Sequence, residues 1–201
     1  MVKSHDIVLA SASPRRAELL RQVGWNPLVK PIHIDETPQS EEQADAYCLR
    51  MAVEKSAAAN HAIETELPTV TADTIVALDG AILGKPLDEN EAKLTLHKLA
   101  GKTHQVYSAV CVSFGQRSMS KLSVSQVTMA AIDSVSIESY VASGEPMDKA
   151  GSYGIQGQAA IWIERIEGSY SSIMGLPLYE TTSILKALNV KLPLLNSKAS
   201  Q

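Results

Sequence analysis

Apolar and polar positions along this chain change their period several times, and each change marks an element. The run Ile7-Val8-Leu9-Ala10 is short and continuously apolar, which predicts a buried strand, and a helical pattern follows from Pro14 until it ends near Gly24. An extended stretch is expected over Leu28 to Ile34, leading into an acidic loop that runs to Pro38. In the next segment Ser40 and Gln43 have the spacing of a capping box, Glu41 and Glu42 suit a helix dipole, and Ala44, Cys48, Met51 and Ala52 share one face. Lys55 continues that face. A lysine on an inward stripe either snorkels to the rim or points its ammonium into a cleft. Thr69 to Leu78 is β-branched and apolar, and Asp79-Gly80 followed by Ala81-Ile82-Leu83 predicts a hairpin that Lys85-Pro86 stops.

In the second half, Asp88 with Glu91 opens a helix carried by Ala92, Leu96 and Leu99 and closed by Gly101. Two strand patterns, Val106 to Phe114 and Leu122 to Ile132, are placed to pair around Gly115, and a short helix from Ile137 to Ala142 ends at Gly144. A glycine-rich segment, Lys149 to Gly157, precedes two predicted strands, Ala160 to Ile166 and Ser169 to Met174, joined at Glu167-Gly168. The last pattern is a helix from Leu178 to Leu188. This order is that of an α/β protein with one mixed β-sheet flanked by helices. At 201 residues a single domain spanning 1–201, with two lobes, is the expectation.

Charge narrows the partners. With 18 Lys plus Arg against 22 Asp plus Glu the net charge is -4, which argues against a nucleic-acid binder, so only local clusters attract phosphate. Cys48 and Cys111 lie far apart without C-x-x-C spacing, which speaks against a disulfide framework or a zinc site and fits a reducing cytoplasm. No uncharged stretch approaches a membrane span, so a soluble protein with no membrane partner is expected.

Candidate chemistry begins at Ser11-Ala12-Ser13-Pro14-Arg15-Arg16. Ser13 suits the N-cap and Pro14 the first helical position, which puts two arginines beside N–H groups that already carry the positive end of the dipole. A phosphate chain fits such a place; two solvated surface arginines are the plain alternative. Asp73 stands inside an apolar strand, where a carboxylate needs a cation, a metal or donors to offset its desolvation. A salt bridge to Lys85, brought near by the hairpin, is the simplest answer, yet it leaves Arg15, Arg16, Glu36 and Lys55 without a role. Together these groups form a kit for phosphoryl chemistry: carboxylates to hold a divalent cation and orient water, and cations to neutralise phosphates.

Taken in order, Leu9-Ala10-Ser11-Ala12-Ser13-Pro14-Arg15-Arg16, Asp35-Glu36, Glu54-Lys55, Ala72-Asp73-Thr74, Gly84-Lys85-Pro86, Lys149 to Gly157 and Gly175-Leu176-Pro177-Leu178 resemble the Maf (septum-formation) nucleoside triphosphate pyrophosphatases over nearly the whole chain. The resemblance implies a Maf/inosine-triphosphatase-like fold with two lobes around a central cleft, a homodimer, and cleavage of a nucleoside triphosphate between its α and β phosphorus atoms. By position it makes Asp73 the proton acceptor, Glu36, Lys55 and Lys85 further catalytic groups, Ser11 and Arg16 the phosphate-binding turn, and Glu36 and Asp73 the ligands of Mg²⁺ or Mn²⁺. Arg15, Thr74 and Gln156 resemble the branch acting on dTTP and UTP, whereas the branch acting on 7-methyl-GTP usually carries Trp, Gln and Glu there. Gln156 offers a donor and an acceptor, which complement O4 and N3–H of uracil or thymine. One departure is Thr71, where relatives usually carry Gly.

Other features carry less. His5, His33, His61, His97 and His104 lack metal-ligand spacing, and only His33 lies near the site in sequence. Trp25, Trp162 and Tyr153 read as packing residues, with Tyr153 also placed to touch a ligand. The glycines Gly151, Gly154 and Gly157 fit either a phosphate nest or simple loop geometry. Three other readings stay open: a 7-methyl-GTP pyrophosphatase, a nucleotide-binding factor of cell division in which hydrolysis is incidental, or a general phosphatase releasing single phosphates.

Overall fold

A computed structural model describes residues 5–193; the first four and last eight residues of the expected domain lie outside the described residues. The sheet has seven strands: β1 (Ile7–Leu9), β2 (Pro27–Val29), β3 (Thr69–Leu78), β4 (Ala81–Leu83), β5 (Thr103–Phe114), β6 (Arg117–Met129) and β7 (Ile163–Glu167). Their order is β2-β1-β3-β5-β6-β7, with β4 hairpinned onto β3. β1 pairs in parallel with β2 and β3, and the remaining ladders are antiparallel, so the sheet is mixed as expected. Among the described residues there are six α-helices: α1 (Pro14–Gln22), α2 (Ala44–Ala62), α3 (Glu89–Leu99), α4 (Ser134–Ala142), α5 (Tyr170–Ile173) and α6 (Leu178–Ala187).

Alternation along β3 sorts the helices. Its even positions, Val70 and Ala72, join Val110 and Val112 under α1 and α6, while Val76 and Leu78 join Val106, Val127 and Met129 under α3 and α4. These are two apolar lobes on one face of one sheet. Odd positions Ile75 and Ala77 face α2, where Cys48, Met51 and Ala52 complete a third cluster. Helices on both faces explain why β3 reads as a nearly continuous apolar run, with only Thr74 partly exposed.

Several boundaries differ from the sequence reading. α2 begins at Ala44 with no side-chain cap, and the Ser40 capping box does not form. Glu41 sits at φ 59, which turns the chain there, and the Glu42 carboxylate is drawn instead to the Gln39 N–H and to Arg50. The expected stretch Leu28 to Ile34 pairs only as far as Val29. β6 starts at Arg117 rather than Leu122 and ends at Met129, because a tight turn at Gly115 lets Phe114 face Arg117 directly.

Ser169 to Met174, expected as a strand, is the short helix α5. The Ser169 hydroxyl accepts from the Ser172 N–H at 3.4 Å, an N-cap that the pattern of this short segment does not reveal. Residues Gln158–Trp162 likewise form a 3₁₀ turn before β7 begins at Ile163. The aromatic residues pack as expected: Trp25 lies in the α1 lobe, and Trp162 meets Tyr140 edge-on at 5.2 Å.

His104 on β5 is buried, with Nε2 2.7 Å from the Tyr153 hydroxyl and Nδ1 without a partner among the described residues. Burial pushes its imidazole down to about 4. In an unfolded chain a histidine titrates near 6.5, so between these values the unfolded state binds a proton that the folded state refuses. Stability is therefore full above pH 6.5 and falls as the pH drops toward 4, by up to about 3 kcal/mol. Urea denaturation from pH 7 to 4.5 should show this slope in the native chain and a flatter one in His104→Gln; equal slopes would remove His104 as the cause.

Candidate active site

The cleft arises from a gap in strand pairing. On one edge of β3, β1 pairs with Thr69 and Val70 and β4 with Val76 to Leu78, and among the described residues no strand pairs with positions 71–75 on that side. The parallel strand β1 ends there and turns into the N-terminus of α1, the kind of switch point where open α/β sheets bind ligands. A cleft of about 510 Å³ opens at this gap. Side chains from both faces of β3 reach it, because Asp73 and Thr74 point to opposite sides of the strand. Ser11, Arg15, Arg16, Glu36, Lys55, Asp73, Thr74, Lys85 and Gln156, all singled out from the sequence, line this one cleft, and His33 and Tyr153 line it too.

On the α2 side, Lys55 turns its ammonium into the cleft rather than snorkelling outward. Its Nζ lies 2.6 Å from Asp73 Oδ1 and 2.6 Å from Glu36 Oε1. Lys55 and Asp73 are buried, whereas the Glu36 side chain is half exposed. Partial burial raises the pKa of Glu36, but the Lys55 hydrogen bond and charge, aided by Lys85 and Arg16, hold its carboxyl below the usual range. The expected Asp73–Lys85 bridge is therefore replaced: Lys55 partners Asp73, and exposed Lys85 forms no ion pair among the described residues. Sequence distance misled here, since helix α2 packs across β3 and brings Lys55 closer than the hairpin brings Lys85.

On the opposite side stands the arginine turn. Ser13 occupies the N-cap of α1, but its hydroxyl caps nothing; its own N–H donates to Ser11 Oγ at 3.3 Å. Arg16 donates from Nε to Gly175 O at 2.8 Å, from Nη1 to Ser11 Oγ at 3.0 Å and from Nη2 to Thr74 Oγ1 at 3.5 Å. Burial pulls its pKa below the usual value, against an opposing pull from Asp73. Arg15 crosses the cleft mouth to Asp148 at 3.1 Å. Five cations, Arg15, Arg16, Lys55, Lys85 and Lys149, thus face three carboxylates, Glu36, Asp73 and Asp148. A local excess of two positive charges sits in a chain of net charge -4, which suits a polyanionic ligand.

The glycine-rich segment forms the remaining wall. Close packing accounts for its glycines: a Cβ on Gly151, which lies at φ +70, would meet Val76 at 2.9 Å, and one on Gly157 would meet Glu145 Oε1 at 1.9 Å. Tyr153 is anchored through His104, and exposed Gln156 projects from the same segment at the cleft.

Several contacts at the site had no signal in the sequence. Tyr47 donates its hydroxyl to Glu36 O at 2.7 Å, fixing the backbone that carries that carboxylate. Arg50 holds Glu42 through two bonds of 2.6 Å and the Thr37 carbonyl at 3.2 Å, pinning the same loop to α2. Only the Arg50–Glu54 spacing of four was visible beforehand. Thr71, the departure from the family pattern expected above, donates to Ala52 O on α2 at 2.8 Å. Asp148, facing Arg15 from 133 residues away, and Ser108, bonded to Thr74 at 2.8 Å, depend wholly on tertiary contact.

Known proteins resemble the chain over most of its length. A protein named dTTP/UTP pyrophosphatase from Aromatoleum aromaticum is 45% identical over 199 residues, covering 92% of this chain and 97% of that protein. One named nucleoside triphosphate pyrophosphatase from Haemophilus ducreyi is 45% identical over 190 residues, covering 92% and 96%. A dTTP/UTP pyrophosphatase from Neisseria meningitidis serogroup B is 44% identical over 194 residues, covering 94% and 96%. Among solved structures, a nucleoside-triphosphatase / dITP/XTP pyrophosphatase from Mycobacterium abscessus aligns with a TM-score of 0.42 at 17% identity, covering 91% of this chain and 96% of that one. Residues 6–188 match the model of the family described as Maf-like protein, and the chain belongs to the Maf family.

Proposed function

We propose that this cleft hydrolyses a pyrimidine nucleoside triphosphate, dTTP or UTP, to the monophosphate and pyrophosphate. The observation that carries the reading is the Lys55 ammonium held between Glu36 and Asp73, opposite an arginine turn in the same cleft. The names of the relatives point the same way. Asp73 takes the proton of a water directed at the α-phosphorus, and Lys55 balances its charge. Arg15, Arg16 and Lys85 spread over the phosphates, and Ser11 donates to one of their oxygens. Gln156 reads the uracil or thymine edge through its amide.

Glu36 and Asp73 would hold a Mg²⁺ or Mn²⁺ ion. Among the described residues no three His, Cys, Asp or Glu side chains cluster as a complete metal cage. Two carboxylates that already share one cation fit an ion whose remaining positions are filled by phosphate oxygens and water, the usual arrangement for Mg²⁺. When bound, such an ion supplies positive charge to the phosphates and acidifies water. The reading extends to a homodimer acting in the cytoplasm on the nucleotide pool; among the described residues no helix is long and apolar enough to cross a membrane.

The test is a panel of nucleoside triphosphates, including 7-methyl-GTP, with Mg²⁺ or Mn²⁺ and product identification. Pyrophosphate released fastest from dTTP and UTP is the expected result; orthophosphate, or a preference for 7-methyl-GTP, would refute it. Asp73→Asn should lower kcat by about 10² to 10⁴, the usual range for a lost general base, with folding checked by circular dichroism. Tyr47→Phe, which removes one tie on the Glu36 backbone, should raise the Mg²⁺ concentration for half-maximal rate by about tenfold; an unchanged requirement would show that the Tyr47 hydrogen bond does not position the metal site.

A further inference from the structure

Thr74 and Ser108 are paired across β3 and β5 on the sheet face that carries both apolar lobes, in the polar strip between them. Counting protons fixes which way each hydroxyl points. Ser108 Oγ lies 2.6 Å from the Ser172 carbonyl, and a carbonyl only accepts, so the single Ser108 proton is committed there. Its 2.8 Å bond with Thr74 Oγ1 must then be donated by Thr74. Arg16 Nη2, which only donates, stands 3.5 Å from Thr74 Oγ1 and agrees with this. That contact is at the limit of a hydrogen bond, and Arg16 has nearer acceptors in Gly175 O and Ser11 Oγ.

Thr74 therefore turns its proton into the protein and shows a lone pair to the cleft. Ser11 is the reverse. It accepts from Arg16 Nη1 at 3.0 Å and from the Ser13 N–H at 3.3 Å, so its own proton is left for an acceptor. Two hydroxyls beside one guanidinium thus have opposite polarity: Ser11 suits a phosphate oxygen, and Thr74 suits a donor. Gln156 already complements the edge of uracil or thymine, and the donor that dTTP and UTP share outside the base is the 3′-hydroxyl.

We propose that Ser108, which does not line the cleft, is a positioning residue that sets Thr74 as an acceptor and makes the site select nucleotides carrying a sugar 3′-hydroxyl. The inference rests on the reading of the cleft as a pyrimidine nucleotide site. It adds a feature that reading does not contain, discrimination at the sugar governed by a residue out of reach of the ligand.

The test compares dTTP with its 3′-deoxy-3′-fluoro analogue, which keeps size and lone pairs but lacks the proton, and UTP with N3-methyl-UTP as the arm for the base. Pyrophosphate release gives kcat/KM ratios, and titration with the corresponding monophosphates gives ratios of Kd without hydrolysis. The native chain should favour the 3′-hydroxyl by about tenfold, a typical single hydrogen bond. Thr74→Val should bring that ratio close to one, Ser108→Ala should lower it about three- to tenfold, and the double variant should go no lower than Thr74→Val. The Ser172 carbonyl keeps the Gly175 N–H at 2.9 Å in Ser108→Ala, so the variant does not orphan it, and thermal melting checks its fold. A merely structural Ser108 would change melting and leave the ratio alone. That outcome overturns the proposal, as does a ratio that moves only in the N3-methyl arm. Absence of pyrophosphate from every nucleotide with a Kd ratio that still follows Ser108 sinks the pyrophosphatase reading and keeps the polarity; failure of every monophosphate to bind sinks both.

Discussion

The site depends on a lysine ammonium buried between two carboxylates. Lys55 sits on the inward stripe of α2, where its neighbours Cys48, Met51 and Ala52 are apolar, and Asp73 lies within a strand whose other positions are apolar or uncharged. Each charge alone would be expensive at that depth, and each makes the other tolerable. Glu36, from a loop outside the sheet, completes the group at 2.6 Å and stays half exposed. The arrangement forces α2 to cross β3 where it does and requires the Glu36 loop to be held down, which Tyr47 and Arg50 accomplish.

Around this centre the fold separates two kinds of work. The apolar lobes on one sheet face are closed, with their helices held by buried aliphatic and aromatic side chains. The polar side chains of the cleft gather in the strip between them and along the open edge of β3, where among the described residues no strand pairs with five positions on that side. Charged side chains reach the cleft there because, among the described residues, no other strand uses the edge. The same interruption that costs the sheet some pairing creates the volume a nucleotide tail needs.

Electrostatics inside the cleft run against the charge of the whole chain. An acidic protein keeps nonspecific polyanions away from its surface, while the cluster of arginines and lysines draws phosphate to one place. Arg15 is paired with Asp148 across the mouth, and Lys149 pairs with the same carboxylate, so the two walls are tied by charges that a phosphate chain competes for. The mixture of signs limits self-repulsion among the charges of the cleft.

Much of this was legible in the residues. The short run at Ile7, the long one at Thr69, the Asp79-Gly80 turn and the Asp88 cap all report local backbone preference, which survives into the fold because nothing tertiary opposes it. The membership of the cleft was legible too, because ordered motifs named its residues. What local pattern left open was partnership: whether Lys55 or Lys85 meets Asp73, whether Ser40 caps α2, and whether Ser169 to Met174 extends or coils. These were decided by which surfaces came together, since an ammonium, a serine hydroxyl or a six-residue segment has several nearly equal local options, and only packing against β3, Arg50 or Ser125 separates them. The direction of a hydroxyl proton at Thr74 is the extreme case, because it depends on a serine 34 residues away and a carbonyl on a helix that pattern alone read as a strand.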